Sequence, residues 1–275
     1  MSEVMSSFNN QNRNTKKQAS IALWDSMAQS FLNKKLPTFD EDAFLQLLQA
    51  KGMIQKDFSV LDVGCGTGTY SIVLAKYCEN VVGVDLSPKM IELARQTAEN
   101  NDVKNVKFHC LDWHDLDLDE IGFTQKFDLV IAHNTPAIQC DHTFRNLTKA
   151  SKQWCVFSKP THRRDPISDN IKKMAGVENK KERSDKMIAN AFHALWDQGF
   201  LPQFHYEKQR WNLRKTREEA YGLYINRVKT FRELTPLEEQ RLRDYIDFME
   251  KDGFVEEDVD TTITTLYWNI GGLDQ

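Results

Sequence analysis

The chain has 275 residues, of which 40% are apolar and 28% charged, and its formal net charge is −4. This is the profile of an ordinary globular chain with material for one large domain, and it carries no whole-molecule electrostatic footprint for nucleic acid. No run approaches the ~20 apolar residues that span a membrane.

Residues 1–20 are polar and Asn-rich, lack an apolar stretch, and read as a flexible tail rather than a secretion signal. The cysteines Cys65, Cys78, Cys110, Cys140 and Cys155 are odd in number and form no CxxC pair. Reduced thiols in a cytoplasmic protein fit that pattern.

Ile21, Trp24, Met27, Ala28, Phe31 and Leu32 recur at helical spacing and predict an amphipathic helix over 21–32, ending before Pro37. Asp40 is placed to cap a second helix, with Phe44, Leu45, Leu47 and Leu48 inward and Gly52 as its stop. An alternation then begins. Residues 59–63 form a short apolar strand, a glycine-rich turn follows, and a helix continues through Tyr70 and residues 72–75. Residues 81–84 form a second strand closing on Asp85. Ser87 and Pro88 are a good N-cap and first-turn pair for the next helix, which ends at Asn100-Asn101.

Residues 106–110 and 127–132 are a third and a fourth strand. A helix over 144–151 leads to a fifth strand at 154–158. Near-continuous apolar strands separated by amphipathic helices predict a parallel sheet covered on both faces, a doubly wound α/β sandwich. After Pro160 the pattern changes. Residues 161–183 are polar and mostly basic, and 184–199 are helical. Strands at 203–213 and 261–270 flank two helices, 217–232 and 236–251. The reading is a single domain over 21–275, with substrate-cap elements at 21–52, 161–183 and 214–252.

The segment Val60-Leu61-Asp62-Val63-Gly64-Cys65-Gly66-Thr67-Gly68 ends a strand, turns on glycines and opens a helix. Missing side chains let backbone N–H groups approach a ligand. The spacing is G-x-G-x-G, with Thr69 where a dinucleotide fingerprint carries its third glycine. The string VLDVGCGTGTY resembles motif I of class I methyltransferases that use S-adenosylmethionine (SAM). The resemblance covers Val60 to about Pro160 and, more loosely, the last two strands. It implies a seven-stranded Rossmann-like sandwich with N-terminal helices and a helical insertion between the last two strands.

The same resemblance implies that Asp62, Gly64, Cys65, Gly66 and Gly68 line the cofactor. Asp85, with Leu86 beside it, stands where the family holds ribose, since a carboxylate there accepts from two hydroxyls. The alternative for Asp85 is an acid favoured by a helix N-terminus. Asp112 stands where the family accepts from the adenine amino group, and Trp113 could pack on the adenine face. Asp112 also reads as one more loop acid in DWHDLDLDE. His133-Asn134-Thr135-Pro136 leaves the fourth strand where the family faces the methyl group, and it resembles the N-P-P-Y motif of amino-nitrogen methyltransferases only in part. Thr135 replaces a proline and Ala137 the aromatic, which argues against an adenine or glutamine amide acceptor.

His133 and Asn134 are the candidate catalytic residues. His133 reads either as a general base with a near-neutral pKa or as a histidine that shapes the cavity. Trp24 and Phe31 resemble an aromatic segment that closes over SAM, with core packing as the other reading. No HxxxH or CxxC spacing occurs, and no metal is expected. The expected activity is methyl transfer from SAM to a small-molecule oxygen, nitrogen or carbon nucleophile, with no nucleic-acid or membrane partner. An RNA or protein methyltransferase is the alternative, motivated by the basic stretch 172–186. A nicotinamide-dependent oxidoreductase, opposed by the glycine spacing, and a non-catalytic SAM-binding module come from other classes.

Overall fold

A computed structural model describes residues 14–28, 35–177 and 181–273. Its strands are β1 (Ser59–Val63), β2 (Asn80–Asp85), β3 (Val106–Cys110), β4 (Phe127–His133), β5 (Ser151–Arg164), β6 (Gln203–Thr216) and β7 (Phe254–Asn269). The helices are α1 over residues 14–28, α2 (Ala43–Ala50), α3 (Thr69–Ala75), α4 (Pro88–Asn100), α5 (Asp141–Ala150), α6 (Pro166–Met174), α7 (Lys181–Trp196), α8 (Arg217–Lys229) and α9 (Pro236–Met249).

The strands make one seven-stranded sheet in the order β3-β2-β1-β4-β5-β7-β6. β1 to β5 are parallel, with the apolar runs of β1 and β4 buried on both faces, whereas β7 and β6 join antiparallel at one end. One face is packed by α2 and α3, whose Leu45, Leu48 and Leu74 meet Val60, Leu129, Ile131 and Val156. The other is packed by α5 and α7, whose Leu147 and Leu195 meet Val130, Ala132, Phe157 and Trp268.

Several expected boundaries move. Helix α1 already includes residues 14–20, assigned to a tail on their polarity, because Lys17 pairs with Asp112 at 2.8 Å and anchors the first turns from outside. Residues 29–34 of the expected first helix, Phe31 and Leu32 among them, lie outside the described residues. Asp42, not Asp40, caps α2, its Oδ1 accepting from the Leu45 N–H at 2.9 Å. Ser87 caps α4 as expected, accepting from the Met90 N–H at 3.0 Å ahead of Pro88.

The largest difference is the length of the last three strands. β4 stops where His133 lies beside Ser158, but β5 continues through Pro160 to Arg164 with β7 as its remaining neighbour. Proline is tolerated at such an edge. β5, β7 and β6 therefore rise past the carboxyl edge of the parallel strands as a three-stranded ribbon. On the face shared with α2 and α3, the upper ribbon is covered by a cap of α6, α8 and α9. Ile167, Ile171, Leu223, Tyr224 and Ile246 pack there with Val255, joined by Leu23 of α1.

The cap is tied to the ribbon by polar groups. Glu257 accepts from the N–H groups of Ile167 and Ser168 at 2.6 and 3.1 Å, which closes the start of α6, and from the Tyr224 hydroxyl at 2.8 Å. Asp165 is gripped by Arg163 at 2.6 Å and by Arg227 at 3.3 Å.

Gly64 has a φ of +72°, and a Cβ built there would lie 1.8 Å from the Thr135 hydroxyl oxygen. The turn after β1 and the turn after β4 are therefore in direct contact.

Two substitutions test these ties. Glu257→Ala orphans the start of α6 and the Tyr224 hydroxyl, and is expected to cost on the order of 3 kcal/mol in urea unfolding, with hydrogen exchange rising first in α6. Gly64→Ala combines a left-handed backbone with a collision and is expected to cost on the order of 3 kcal/mol. Adding Thr135→Ala should recover part of that loss by removing the 1.8 Å contact with the hydroxyl oxygen, while the 2.6 Å contact with the Cβ of residue 135 and the backbone strain remain.

Candidate functional site

The carboxyl ends of β1, β2, β3 and β4 gather the residues singled out by the sequence. In parallel sheets the crevice beyond those ends, where strand order reverses between β1 and β4, is the place for a ligand. Gly64, Gly66 and Gly68 adopt φ values of +72°, +55° and +75°. At Gly66 an added Cβ would meet nothing within 4 Å, so the middle of the turn opens on free space. At Gly68 it would strike Phe108 at 2.6 Å, so that glycine serves the packing of α3.

Asp85 holds this turn. Its Oδ2 accepts from the Gly66 N–H and its Oδ1 from the Ser87 N–H, both at 2.9 Å. Burial raises its pKa, and those two N–H groups oppose the rise. Asp62 lies beneath, 4% exposed, with Oδ2 accepting from the Ser71 hydroxyl at 2.6 Å. Burial pushes Asp62 up to about 7, with the Asp85 charge adding to the rise and Ser71 opposing it. Cys65, in the same turn, is a protonated thiol, its pKa raised by burial and by both carboxylates. A buried acid and a half-buried one thus share a crevice, and among the described residues no cation pairs with either of them.

Asp112 lies after β3 as expected. Its Oδ1 accepts from the His114 N–H at 3.1 Å, and its Oδ2 is held by Lys17. Leu86 is half-buried beside it, its carbonyl 3.6 Å from the Cys110 thiol. Trp113 turns the other way. It is 3% exposed in the core under α5, with Nε1 donating to the Thr143 carbonyl at 2.9 Å, so the expected stacking of its ring on adenine does not occur.

His133 ends β4 under α2 and α3, its ring centroid 3.9 Å from that of Phe44 and 4.8 Å from that of Tyr70. Burial pushes its pKa down to about 3. It stays neutral at physiological pH and lacks the near-neutral pKa expected of a general base. The Nε2 atom lies 3.0 Å from the Asn134 side-chain nitrogen, while His133 Nδ1 and Asn134 Oδ1 are buried without a hydrogen-bond partner. Asn134 has a φ of +52°, an uncommon backbone for a residue other than glycine.

The sequence reading missed three contributors. Lys159, 8% exposed, donates to the Thr135 carbonyl at 2.6 Å and holds the turn that Gly64 abuts. A lone lysine closing the apolar run Cys155-Val156-Phe157-Ser158 was the available signal. Tyr70 donates to Asp42 at 3.0 Å beside His133. Lys17 is the third. Together with Asp25, which accepts from the Ser87 hydroxyl, and Ala28, which packs on Met90 and Leu93, it lays α1 across the ends of β2 and β3. Trp24 packs in that contact.

Among the described residues no group of three or more His, Cys, Asp or Glu side chains is placed to hold a metal ion, and no helix is long and apolar enough to cross a membrane.

Comparison with known proteins agrees with this geometry. The chain is 51% identical over 51 residues to the human tRNA (uracil-5-)-methyltransferase homolog A, a match covering 18% of this chain and 8% of that protein. It is 37% identical over 70 residues to a 23S rRNA (uracil(1939)-C(5))-methyltransferase of Pseudoalteromonas translucida, covering 26% of this chain and 16% of that one. The chain therefore spans only a small part of the curated relatives it matches. Among solved structures, magnesium protoporphyrin IX methyltransferase from Synechocystis superposes with a TM-score of 0.54 at 16% identity, covering 91% of this chain and 99% of that one. A putative methyltransferase from Bacillus halodurans gives 0.51 at 15% identity, covering 83% and 99%. The family model described as "Methyltransferase domain" matches residues 54–216. With motif I at the β1 turn and an acid ending β2, the chain belongs to the methyltransferase domain family.

Proposed function

We propose that this methyltransferase transfers the methyl group of SAM to a small-molecule acceptor held between the sheet edge and the C-terminal cap. The observation that carries the reading is the enclosure. The ribbon of β5, β7 and β6 walls one side, the cap roofs it, and α1 joins the cap at Leu23 to the rim of the cofactor crevice at Lys17 and Asp25. An extended polymer would have to part these contacts. The basic stretch that motivated a nucleic-acid acceptor is partly committed, since Lys172 is largely buried and pairs with Asp169 at 3.6 Å. The uracil methyltransferase similarity is confined to short segments of 51 and 70 residues.

SAM supplies a methyl carbon made electrophilic by its sulfonium, so the protein's work is to orient a nucleophile in line and keep water out. In this reading the open face of Gly66 receives the amino-acid end of SAM. Asp85 accepts from the ribose, keeping its backbone contacts because each carboxylate oxygen has a second lone pair. Asp112 and Leu86 take the adenine, and Asp112 exchanges Lys17 for the amino group. Asp62 lies where the positive amino-acid end would offset its burial. His133 and Asn134 face the transferred methyl, as neutral hydrogen-bonding groups that position the acceptor. Deprotonation, for an acceptor that needs it, falls to another group or to solvent.

The electrostatics give a sign that can be measured. In the ligand-free protein Asp62 keeps its proton up to about pH 7. A cationic ligand favours the carboxylate, so SAM binding strengthens as pH rises through that midpoint, by up to about tenfold per pH unit on its acid side. Calorimetric titrations between about pH 6 and pH 7.5 should show this slope, and Asp62→Asn should weaken binding and flatten it. For the acceptor, labelled SAM is supplied with the low-molecular-mass fraction and, separately, the RNA and protein fractions of a cell extract. Label entering the low-mass fraction is expected, and label entering RNA or protein instead would sink the small-molecule reading.

A further inference from the structure

We infer that the acceptor pocket is built for a molecule carrying a protonated amine, which Glu207 and the Asn134 amide oxygen hold against the ring of Tyr70. The inference deepens the small-molecule reading and rests on it.

β6 is an edge strand with strict alternation, and its odd-numbered residues face the side that α2, α3 and the cap occupy. Glu207, Gln209 and Trp211 are half-buried there. They lie between the region covered by α2 and α3 and the region covered by the cap, opposite Ile263, Thr261 and Val259 of β7. The three are linked in a line. Trp211 Nε1 donates to Gln209 Oε1 at 2.7 Å, and Gln209 Nε2 donates to Glu207 Oε1 at 2.8 Å. Every donor in that line points toward Glu207, whose other oxygen has no hydrogen-bond partner among the described residues.

The opposite wall is short of donors as well. The Tyr70 hydroxyl has one proton and gives it to Asp42. The tyrosine feels the negative charges of both Asp42 and Glu207, which together with burial raise its pKa. Among the described residues no lysine, arginine or histidine forms an ion pair with Asp42 or Glu207. Asn134 Oδ1 and His133 Nδ1 are buried and unpartnered, with the His133 ring 4.8 Å from that of Tyr70. Buried acceptors without donors are costly, so a ligand that completes this site brings N–H groups and positive charge. The rings of Phe44 and Tyr70 suit a cation too, whereas the Trp211 ring already carries the Arg163 guanidinium, 5.0 Å from its centroid.

An acidic handle finds no such place. The cations of the adjoining cap, Arg163, Arg227 and Lys172, are matched by Asp165 and Asp169.

The test uses the full chain saturated with S-adenosylhomocysteine, whose binding is measured first by calorimetry. Tryptamine is then titrated against its matched acid, indole-3-propionate. The expected result is binding of the amine and not of the acid. Glu207→Gln should weaken the amine about tenfold, the loss of one charge-assisted contact, while affinity for S-adenosylhomocysteine is unchanged. Equal binding of the two probes, preference for the acid, no binding of tryptamine at millimolar concentration, or indifference to Glu207→Gln would each overturn the inference. The two readings fail separately. Label from SAM in RNA removes the small-molecule reading, whereas low-mass labelling without amine preference removes only the handle.

Discussion

The contact between Gly64 and Thr135 sets the shape of the crevice. It joins the turn after β1 to the turn after β4, and both turns adopt left-handed backbone next to each other, at Gly64 and at Asn134. Asp85 fixes the first turn through the Gly66 amide, and Lys159 fixes the second through the Thr135 carbonyl. Each group is itself immobilised by a strand. The glycine turn after β1 is thus set by two neighbouring strands and not by its own sequence alone, which is the preorganisation a transfer reaction needs when geometry is its main source of acceleration.

A second constraint is electrostatic. Asp62 is buried and Asp85 half-buried close to it, with no cation paired to either among the described residues, a costly arrangement. Burial acts in the opposite sense on His133, which it keeps neutral. One low-dielectric crevice therefore produces reluctant carboxylates on one side and a permanently uncharged imidazole on the other. Both favour a positively charged partner over an anion.

Much of the fold could be read from the chain because local signals agreed. β1 and β3 have the expected limits, since short apolar runs between polar turns leave little choice, and Ser87-Pro88 marks the start of α4 by capping chemistry alone. Readings failed where distant residues decide. The helical turns at residues 14–20 are held by Lys17 reaching Asp112. Trp113 is drawn inward by the Thr143 carbonyl, thirty residues along the chain. His133 loses its basicity to Phe44 and Tyr70, which belong to helices far away in sequence. The extension of β5 past Pro160 was hidden because proline reads as a terminator, and only the early end of β4 makes it harmless.

The protruding ribbon has a consequence for how such an enzyme can change. In the proposed reading nucleoside recognition would sit on the ends of short parallel strands, and acceptor recognition on the pleats of a long antiparallel extension of the same sheet. Alternate positions along β6 and β7 can be exchanged without altering the backbone ladder that supports them, and without touching Gly64, Asp62 or Asp85. Under that reading substrate preference is free to drift one side chain at a time, while the turn proposed to hold the methyl donor stays as it is.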